Sequence, residues 1–331
     1  MLLRLYLEFE GTNMHQTTSS GKSTILKAYF FILISSLIYG ANVIAGRLIA
    51  AELPPLTLSA IRAVLALVIL LPLSWSQMKS APKPNKRELL QLMIVGMFGI
   101  TIPYITLLIG LKHATGTNAS IVFATMPVVT NILLFVLHKV LPSKFQTIGM
   151  SISFLGLLIV FTQGSPTHIL SFKLGYGEMI LFINVLSIGL FNLIGQSVME
   201  KFSSLVTSVY SLIFAIIVLI PMGTWQLISV GWRPLSISAW LIVFYMGFLS
   251  AGIAFLLNLY GINKIGSGQA SIFNNLQHVF SITLSIIILK ESLASYHWIG
   301  FTLVIFGVIL SLTKRSQKVV RLQSQSSKQA I

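Results

Sequence analysis

The sequence predicts an all-α polytopic membrane protein with ten transmembrane helices arranged as a five-plus-five inverted-topology repeat. Three observations predict this fold: the composition, the number of long apolar segments, and an internal similarity at a fixed spacing. Of the 331 residues, 55% are hydrophobic and only 9% are charged, whereas a soluble domain carries about 25% charged residues. The mean hydropathy is +0.89. These values are typical of a chain that crosses a bilayer several times.

Ten apolar segments follow one another, most of them long enough to cross a hydrocarbon core of about 30 Å at about 1.5 Å per helical residue. We predict spans at Ala28–Gly46, Leu56–Trp75, Leu90–Leu111, Thr117–Leu137, Phe145–Phe161, Gly177–Val198, Leu205–Met222, Ile237–Tyr260, Gly268–Leu289 and Trp298–Leu312. The connections are short, so neighbouring spans are expected to pack antiparallel.

The positive charges predict the orientation. If the N-terminus is cytoplasmic, sixteen Lys and Arg residues fall in inner segments and five in outer loops, with Arg62 left inside a span. Because cytoplasmic loops of membrane proteins are enriched in Lys and Arg, both termini are expected in the cytoplasm. The same rule explains the net charge of +15, so we expect contact with membrane lipid and no nucleic-acid partner.

The two ends are expected to be cytoplasmic tails, residues 1–27 and a basic tail at 314–331. Met14 is an alternative start. Ser20–Thr24 resembles the end of a phosphate-binding loop, but the position five residues before its glycine is Gln16 instead of glycine, and no strand precedes it. The motif therefore does not indicate a nucleotide site.

Sliding the chain by 151 residues aligns its halves without a gap from the third to fifth segments onto the eighth to tenth. Gly96 falls on Gly247, and Gly156 falls on Gly307. We therefore divide the chain into a repeat at 28–162, a linker at 163–176 and a repeat at 177–313. Five spans are an odd number, so the halves enter the membrane in opposite directions. Such repeats place a substrate site near the bilayer midplane, between the halves, and work by alternating access.

The ninth segment carries polar residues at helical spacing, which must face away from lipid. They are Asn274, Gln277, His278, Ser281 and Ser285. The stripe is either part of a solute cavity or a set of hydrogen bonds between helices. His278 is either a protonation switch, because the ordinary pKa of histidine lies near neutrality, or a neutral residue bonded across a helix interface. Pro127 occupies the position equivalent to His278 in the first half, so the site is not expected to be symmetric.

Further candidates for solute binding lie on other segments: Tyr39, Asn42, Arg62, Tyr104, Asn192 and Asn258. Arg62 is the most informative, since a charge inside a span is costly and is usually paired or functional. Its partner is a glutamate near a segment end, a backbone carbonyl, or an anionic group on the solute; a structural role stays open. Packing between helices is the alternative for the asparagines and tyrosines.

Two absences limit the chemistry. No carboxylate lies in the middle of a predicted span, and the chain contains no cysteine. Proton coupling through a buried glutamate is therefore not expected, which leaves facilitated export or coupling through His278. One intramembrane histidine without an acid disfavours an enzyme. We predict no catalytic residue, no metal site and no cofactor.

Several short motifs resemble the EamA-type domain of the drug/metabolite transporter superfamily, over nearly everything from about residue 30 to 313. In the first copy they are Ile38–Asn42, Pro54–Thr57, Arg62, Ala119-Ser120 running to Pro127, and Ile148-Gly149 with Gly156; in the second they are Leu289–Leu293 and Ile299-Gly300 with Gly307. Two departures stand out. The first copy has Leu137–Val140 without the glutamate that the second has at Glu291, and His278 stands where the family pattern usually has proline.

The resemblance implies a transporter in the plasma (inner) membrane that moves a small-molecule solute, often by exporting amino acids or other metabolites. We therefore expect a secondary transporter of small polar metabolites, including amino acids or their derivatives. A multidrug efflux transporter is one alternative, and a non-transporting receptor or scaffold is another. The solute, the direction, the coupling ion and the choice between monomer and homodimer stay open.

Overall fold

The computed structural model describes residues 22–50, 52–138, 144–162, 164, 175–199, 201–231, 234–265 and 276–313. Within these ranges the chain is helical and no strand is present. The α-helices are α1 (Lys22–Ile49), α2 (Pro55–Ser80), α3 (Lys86–Gly96), α4 (Ile102–His113), α5 (Gly116–Ala124), α6 (Met126–His138), α7 (Lys144–Phe161), α8 (Tyr176–Met199), α9 (Ser204–Val230), α10 (Ile237–Phe244), α11 (Phe255–Ile265), α12 (Leu276–Leu289) and α13 (Ser295–Thr313). Two π-helical stretches, Met97–Thr101 and Tyr245–Ala254, join α3 to α4 and α10 to α11.

Polar side chains cap the N-termini of several helices. Asn85 and Glu88 form a reciprocal capping box before α3, with both hydrogen bonds at 2.9 Å. Thr115, Ser203 and Ser236 each accept a backbone N–H from three residues on, at the starts of α5, α9 and α10. Each of these caps satisfies one of the N–H groups that a helix leaves free at its start.

The described helices agree with the ten predicted segments in order and position. α5 and α6 together cover the fourth segment, with a break at Thr125. The first part of the ninth segment, Gly268 to Asn275, lies outside the described residues. By length and composition, seven helices within the described ranges can cross a membrane: Thr24–Ile49, Pro55–Ser80, Lys86–His113, Gly116–Leu137, Tyr176–Gly195, Ser204–Val230 and Ile237–Gly261. Thr147–Val160 and Leu276–Leu289 are shorter apolar helices.

The outer surface of the bundle is apolar, as a bilayer requires. Large hydrophobic side chains such as Leu26, Val68, Ile228 and Ile287 are each more than 60% exposed. In water such a surface would be unfavourable, because every buried square ångström of apolar area is worth about 25 cal/mol. These side chains therefore face lipid when the protein is in a membrane.

The internal repeat appears in the packing of α7 against α13. Ser153 Oγ donates to the carbonyl oxygen of Val304 at 3.1 Å, and these two residues are equivalent under the 151-residue shift. A Cβ added at Gly156 would lie 2.6 Å from the oxygen of Gly300. A Cβ at Gly307, the residue equivalent to Gly156, would likewise meet the oxygen of its neighbour on the other helix. The two helices therefore cross with their backbones in contact, at a point where equivalent residues of the two repeats touch each other.

A second pair of contacts repeats in the same way. At Gly40 of α1, a Cβ would lie 2.8 Å from Phe280 Cβ of α12. At Gly189 of α8, it would lie 3.8 Å from Val129 of α6, and Val129 is 151 residues before Phe280. Each repeat thus packs its first long helix against the second half of the fourth segment of the other repeat. The π-helical stretch at Met97–Thr101 also has its equivalent positions inside Tyr245–Ala254.

Apolar clusters surround the middle of the bundle. One joins α2 to α9 through Ala63, Leu70, Val209 and Leu212, and Tyr104 packs against its edge. Another joins α1, α4, α5 and α8. These clusters position the buried polar side chains of α1, α2 and α4.

Candidate functional site

The charge buried inside α2 has no complete set of partners. Arg62 is 3% exposed, and its guanidinium carbon lies 4.4 Å from the centre of the Tyr104 ring. Among the described residues, its Nε and Nη1 atoms find no hydrogen-bond acceptor. A cation over an aromatic face gains about 0.5–2 kcal/mol, which does not replace the hydration that a buried arginine loses.

No glutamate of the described part of the chain serves Arg62. Each one is bonded elsewhere, at the end of a helix: Glu52 accepts from Ser236, Glu88 binds Lys201, Glu178 accepts from Asn118, and Glu291 accepts from Gly116 and Thr117. Lys201–Glu88 is the one ion pair found among the described residues. Arg62 is therefore a buried cation without a counter-charge in this part of the chain.

Two residues of α1 extend this site. Tyr39 lies near Tyr104, and both tyrosines are only half-buried although they lie well inside helices. Asn42 follows Tyr39 by three residues, on the same helical face. It is 8% exposed, and its Oδ1 finds no donor among the described residues. We call Tyr39, Asn42, Arg62 and Tyr104 the Arg62 cluster. It offers free donors at Arg62 and a free acceptor at Asn42, and the Tyr104 ring lies against the guanidinium.

The polar stripe of α12 is only partly described. His278 is buried at 4% exposure, and its Nε2 lies 3.4 Å from Nε2 of half-buried Gln277. The backbone at Gln277 lies against Gly40 of α1, two residues from Asn42. Asn274 lies outside the described residues. The α12 stripe therefore borders the helix that carries half of the Arg62 cluster.

Two further predicted residues are placed differently. Asn258 of α11 is buried, and its Nδ2 donates to Ser35 Oγ of α1 at 3.4 Å, a contact between helices of the kind weighed against solute binding. Asn192 lies on α8, but its side chain is outside the described atoms. Neither position tests the prediction of solute contact.

Sequence reasoning missed several polar groups. The hydroxyls of Thr207 and Ser211, one turn apart on α9, are buried without a partner among the described residues. Tyr245 donates its hydroxyl to the carbonyl oxygen of Ile38 at 2.6 Å. A single threonine, serine or tyrosine in an apolar segment is common, so no sequence signal distinguished these residues. Only the packing of helices distant in sequence brings them into view.

One end of the bundle is held together by glutamates, and we call it the Glu291 end. Glu291 accepts the backbone N–H of Gly116 at 2.8 Å, that of Thr117 at 3.0 Å, and the hydroxyl of Thr117 at 2.6 Å. It thereby caps α5 from the connection between α12 and α13. A carboxylate at a helix start is also favoured by the helix dipole.

Further contacts close the same end. Asn118 Nδ2 donates to Glu178 Oε1 at 2.9 Å, which ties α5 to α8. One turn deeper, the hydroxyl oxygens of Ser120 and Ser281 lie 2.5 Å apart. Ser285 is fully buried against Gly116. At the opposite end, Lys201 pairs with Glu88, so the two ends are joined by different chemistry.

Outside these groups, an apolar cleft of about 320 Å³ opens between α2 and α9. It is lined by Thr57, Ala60, Ile61, Val64, Leu65, Ile220, Gly223, Thr224 and Leu227. Within the described ranges, no three His, Asp or Glu side chains lie close enough together to hold a metal ion.

Comparison with known proteins agrees with this architecture. The model of the EamA-like transporter family matches the chain twice, at residues 26–162 and 175–313. A protein of Bacillus subtilis named uncharacterized transporter YetK is 27% identical over 290 residues, covering 88% of each chain. The uncharacterized transporter YyaM of the same organism is 26% identical, over 86% of this chain and 93% of its own. A WAT1-related protein of Arabidopsis thaliana is 23% identical over 78% of this chain and 81% of its own.

A solved crystal structure has the same fold, with a TM-score of 0.59 and 15% identity over 87% of this chain and 99% of that one. The two family matches fall on the two halves that the 151-residue shift relates, and together they cover most of the chain. The protein is therefore a multi-pass membrane protein that belongs to the EamA-like transporter family.

Proposed function

We propose that the protein is a secondary transporter that exports small polar metabolites, amino acids or their derivatives among them, across the plasma membrane by alternating access. Ten helices cross the bilayer as two inverted five-helix repeats, and both termini are cytoplasmic. The observation that carries the proposal is the Arg62 cluster, a set of unpaired polar groups buried where helices of the first repeat meet. Groups of this kind are costly inside a membrane protein unless a solute completes their bonds.

The repeated packing supports the alternating mechanism. The contact of Ser153 with Val304 relates each repeat to the other, as expected where two similar halves rock about a common axis. With cytoplasmic termini, the Glu291 end faces outward, because it carries the turn between α4 and α5. Its hydrogen bonds then close the outer side in the conformation described above.

The two sides are closed by unlike groups, which supports directional gating. The position equivalent to Glu291 in the first repeat is Val140, which has no carboxylate to offer a helix start. The opposite end relies on the pair of Lys201 with Glu88. An exposed ion pair of this kind is weak and sensitive to salt, whereas a carboxylate that accepts three hydrogen bonds holds more firmly.

The test is exchange in liposomes. Purified protein is reconstituted, loaded with unlabelled solutes, and assayed with labelled amino acids and other small metabolites, with and without a pH gradient. Asn42→Ala removes an unpaired carbonyl oxygen and should lower uptake at least about tenfold, whereas Asn258→Ala, which loses a contact with Ser35, should mainly lower thermal stability. Wild-type uptake equal to that of empty liposomes for every polar solute would end this proposal. Movement of hydrophobic cations alone would replace it with multidrug efflux.

A further inference from the structure

We infer that Arg62 binds an anionic oxygen group of the transported solute, which makes a carboxylate the defining feature of that solute. The inference rests on the proposed transport function and adds a substrate class to it. It starts from the charge balance of the site. A guanidinium stays protonated in proteins, so α2 carries a full positive charge at a position that is 3% exposed.

The protein supplies no anion for this charge in the part that the structure describes. Every glutamate there is bonded at a helix end, as given above, and both Nε and Nη1 of Arg62 lack an acceptor. Removing one partner from a buried ion pair is strongly destabilising because the other charge is left uncompensated. Within the described part of the chain Arg62 is in that uncompensated state, and a bound anion would relieve it.

The residues around Arg62 restrict the chemical class of the solute further. The guanidinium carbon lies 4.4 Å from the centre of the Tyr104 ring. An anion that accepts hydrogen bonds from Arg62 must approach in the plane of the guanidinium, where the N–H groups point. Tyr39 and Tyr104 are half-buried, and their rings offer flat apolar surface beside the charge. Asn42 adds a free Oδ1 acceptor on the same face of α1 as Tyr39. An amino acid carries the two groups that these residues lack, a carboxylate for Arg62 and an N–H donor for Asn42.

A structural explanation of Arg62 makes a different prediction about stability. Arg47, near the end of α1, donates to the carbonyl oxygens of Leu111 at 2.8 Å and Lys112 at 3.1 Å, and so it connects two helices. Arg62 has no such described bond at Nε or Nη1. Substitution by methionine, which keeps most of the side-chain volume, should therefore lower the thermal stability at Arg47 but not at Arg62.

The experiment measures transport and stability together. Liposomes are assayed with labelled amino acids, with the matching amino-acid amides and decarboxylated amines, and with inorganic phosphate. Wild type should take up at least one acid about a hundredfold faster than its amide or amine, since a site built around a charged hydrogen bond rejects an analogue that lacks it. Arg62→Met should abolish this preference while the melting temperature stays equal or rises. Arg47→Met should lower the melting temperature and leave the preference unchanged.

Each result decides between the claims. Equal uptake of acids, amides and amines by wild type overturns the anion assignment and leaves the transport function standing. No uptake of any of these solutes removes the transport proposal itself. If phosphate moves and no carboxylate does, the anion site holds and the carboxylate assignment is wrong. If Arg62→Met fails to fold, or has a lower melting temperature than Arg47→Met, Arg62 has a structural role. Arg62→Lys, which keeps the charge, then tests whether the preference for acids over amides depends on Arg62.

Discussion

The hydrogen bonds of Glu291 lead to a quantitative prediction about opening of the Glu291 end. Glu291→Gln keeps the shape of the side chain but removes the charge that faces three donors on Gly116 and Thr117. Hydrogen bonds to a charged group contribute about 1.5–3 kcal/mol each, and the amide retains part of this by accepting through one oxygen. We expect a net loss of about 1–3 kcal/mol from the closed arrangement, which changes the ratio of open to closed molecules by about 5–150-fold.

The absence of cysteine makes this measurable without background. Ser285→Cys places a single thiol at a fully buried position against Gly116, and the serine hydroxyl it replaces has no described hydrogen-bond partner. A maleimide that cannot cross the membrane should label this thiol slowly, from the outside only. Adding Glu291→Gln should raise the labelling rate by about the factor given above, because the thiol reacts only when α5 separates from α12.

Glu52→Gln is the matched control. Glu52 lies at the same end but is exposed and accepts from Ser236 on α10, away from α5 and α12. It should leave labelling of the Ser285→Cys thiol within about twofold of the parent, since exposed polar contacts contribute little. Equal rates for the two glutamine variants would refute the reasoning that Glu291 closes this end. Labelling from the cytoplasmic side alone would reverse the orientation.

Three further changes test other contacts. Gly156→Leu should lower the melting temperature, because overpacking against α13 costs about 1–3 kcal/mol. Ser151→Leu, on the exposed face of the same helix, should leave the melting temperature unchanged. Equal melting curves for the two variants would contradict the close contact of α7 with α13. Tyr245→Phe should cost about 0.5–1.5 kcal/mol in chemical denaturation through its lost bond to a carbonyl of α1, and no change would make that bond energetically irrelevant. The hydroxyl oxygens of Ser120 and Ser281 lie 2.5 Å apart. Oxidation of the double variant Ser120→Cys/Ser281→Cys should therefore form a disulfide that stops solute exchange until it is reduced. Full exchange activity of the crosslinked protein would show that α5 and α12 need not separate.

Periodicity and repeat detection predicted most of the fold. Apolar runs predicted the positions of the helices. The 151-residue shift makes Ser153 and Val304 equivalent, but their contact was not predicted and follows from the structure. Helix contacts such as Arg47 with Leu111 were not predictable, because a residue in one span carries no information about which distant span it touches. The break between α5 and α6 lies at Thr125, two residues before Pro127, and a proline lacks the N–H that continuous helical bonding requires.

Tyr39, Asn42, Arg62 and Tyr104 were all named as candidates from the sequence, but only Arg62 carried a strong signal. Arg62 stands out because charge inside a span needs an explanation, and the structure adds that its Nε and Nη1 find no acceptor among the described residues. The partnership with Tyr104 joins residues on different helices, so it follows from packing alone. Glu291 was noticed because the first repeat lacks its equivalent, but its role as the cap of α5 required the hydrogen bonds themselves.

The Arg62 cluster and the Glu291 end are connected by two helices in contact, α1 and α12, through which we expect their energies to depend on each other. α1 carries Tyr39 and Asn42, and between them Gly40 lies directly on the backbone of α12 at Gln277. From there α12 runs to the connection that holds Glu291. A solute that orders α1 at the cluster therefore also favours one position of α12, and thereby one state of the outer end. Since linkage is reciprocal, a solute that binds the open and closed states with different affinities shifts their populations by the ratio of those affinities, and a shift of these populations by Glu291→Gln changes the apparent affinity for the solute. In the proposed transport cycle, alternating access would require no direct contact between the anion and Glu291, because the contact of α1 with α12 would carry the movement of α1 to the outer end.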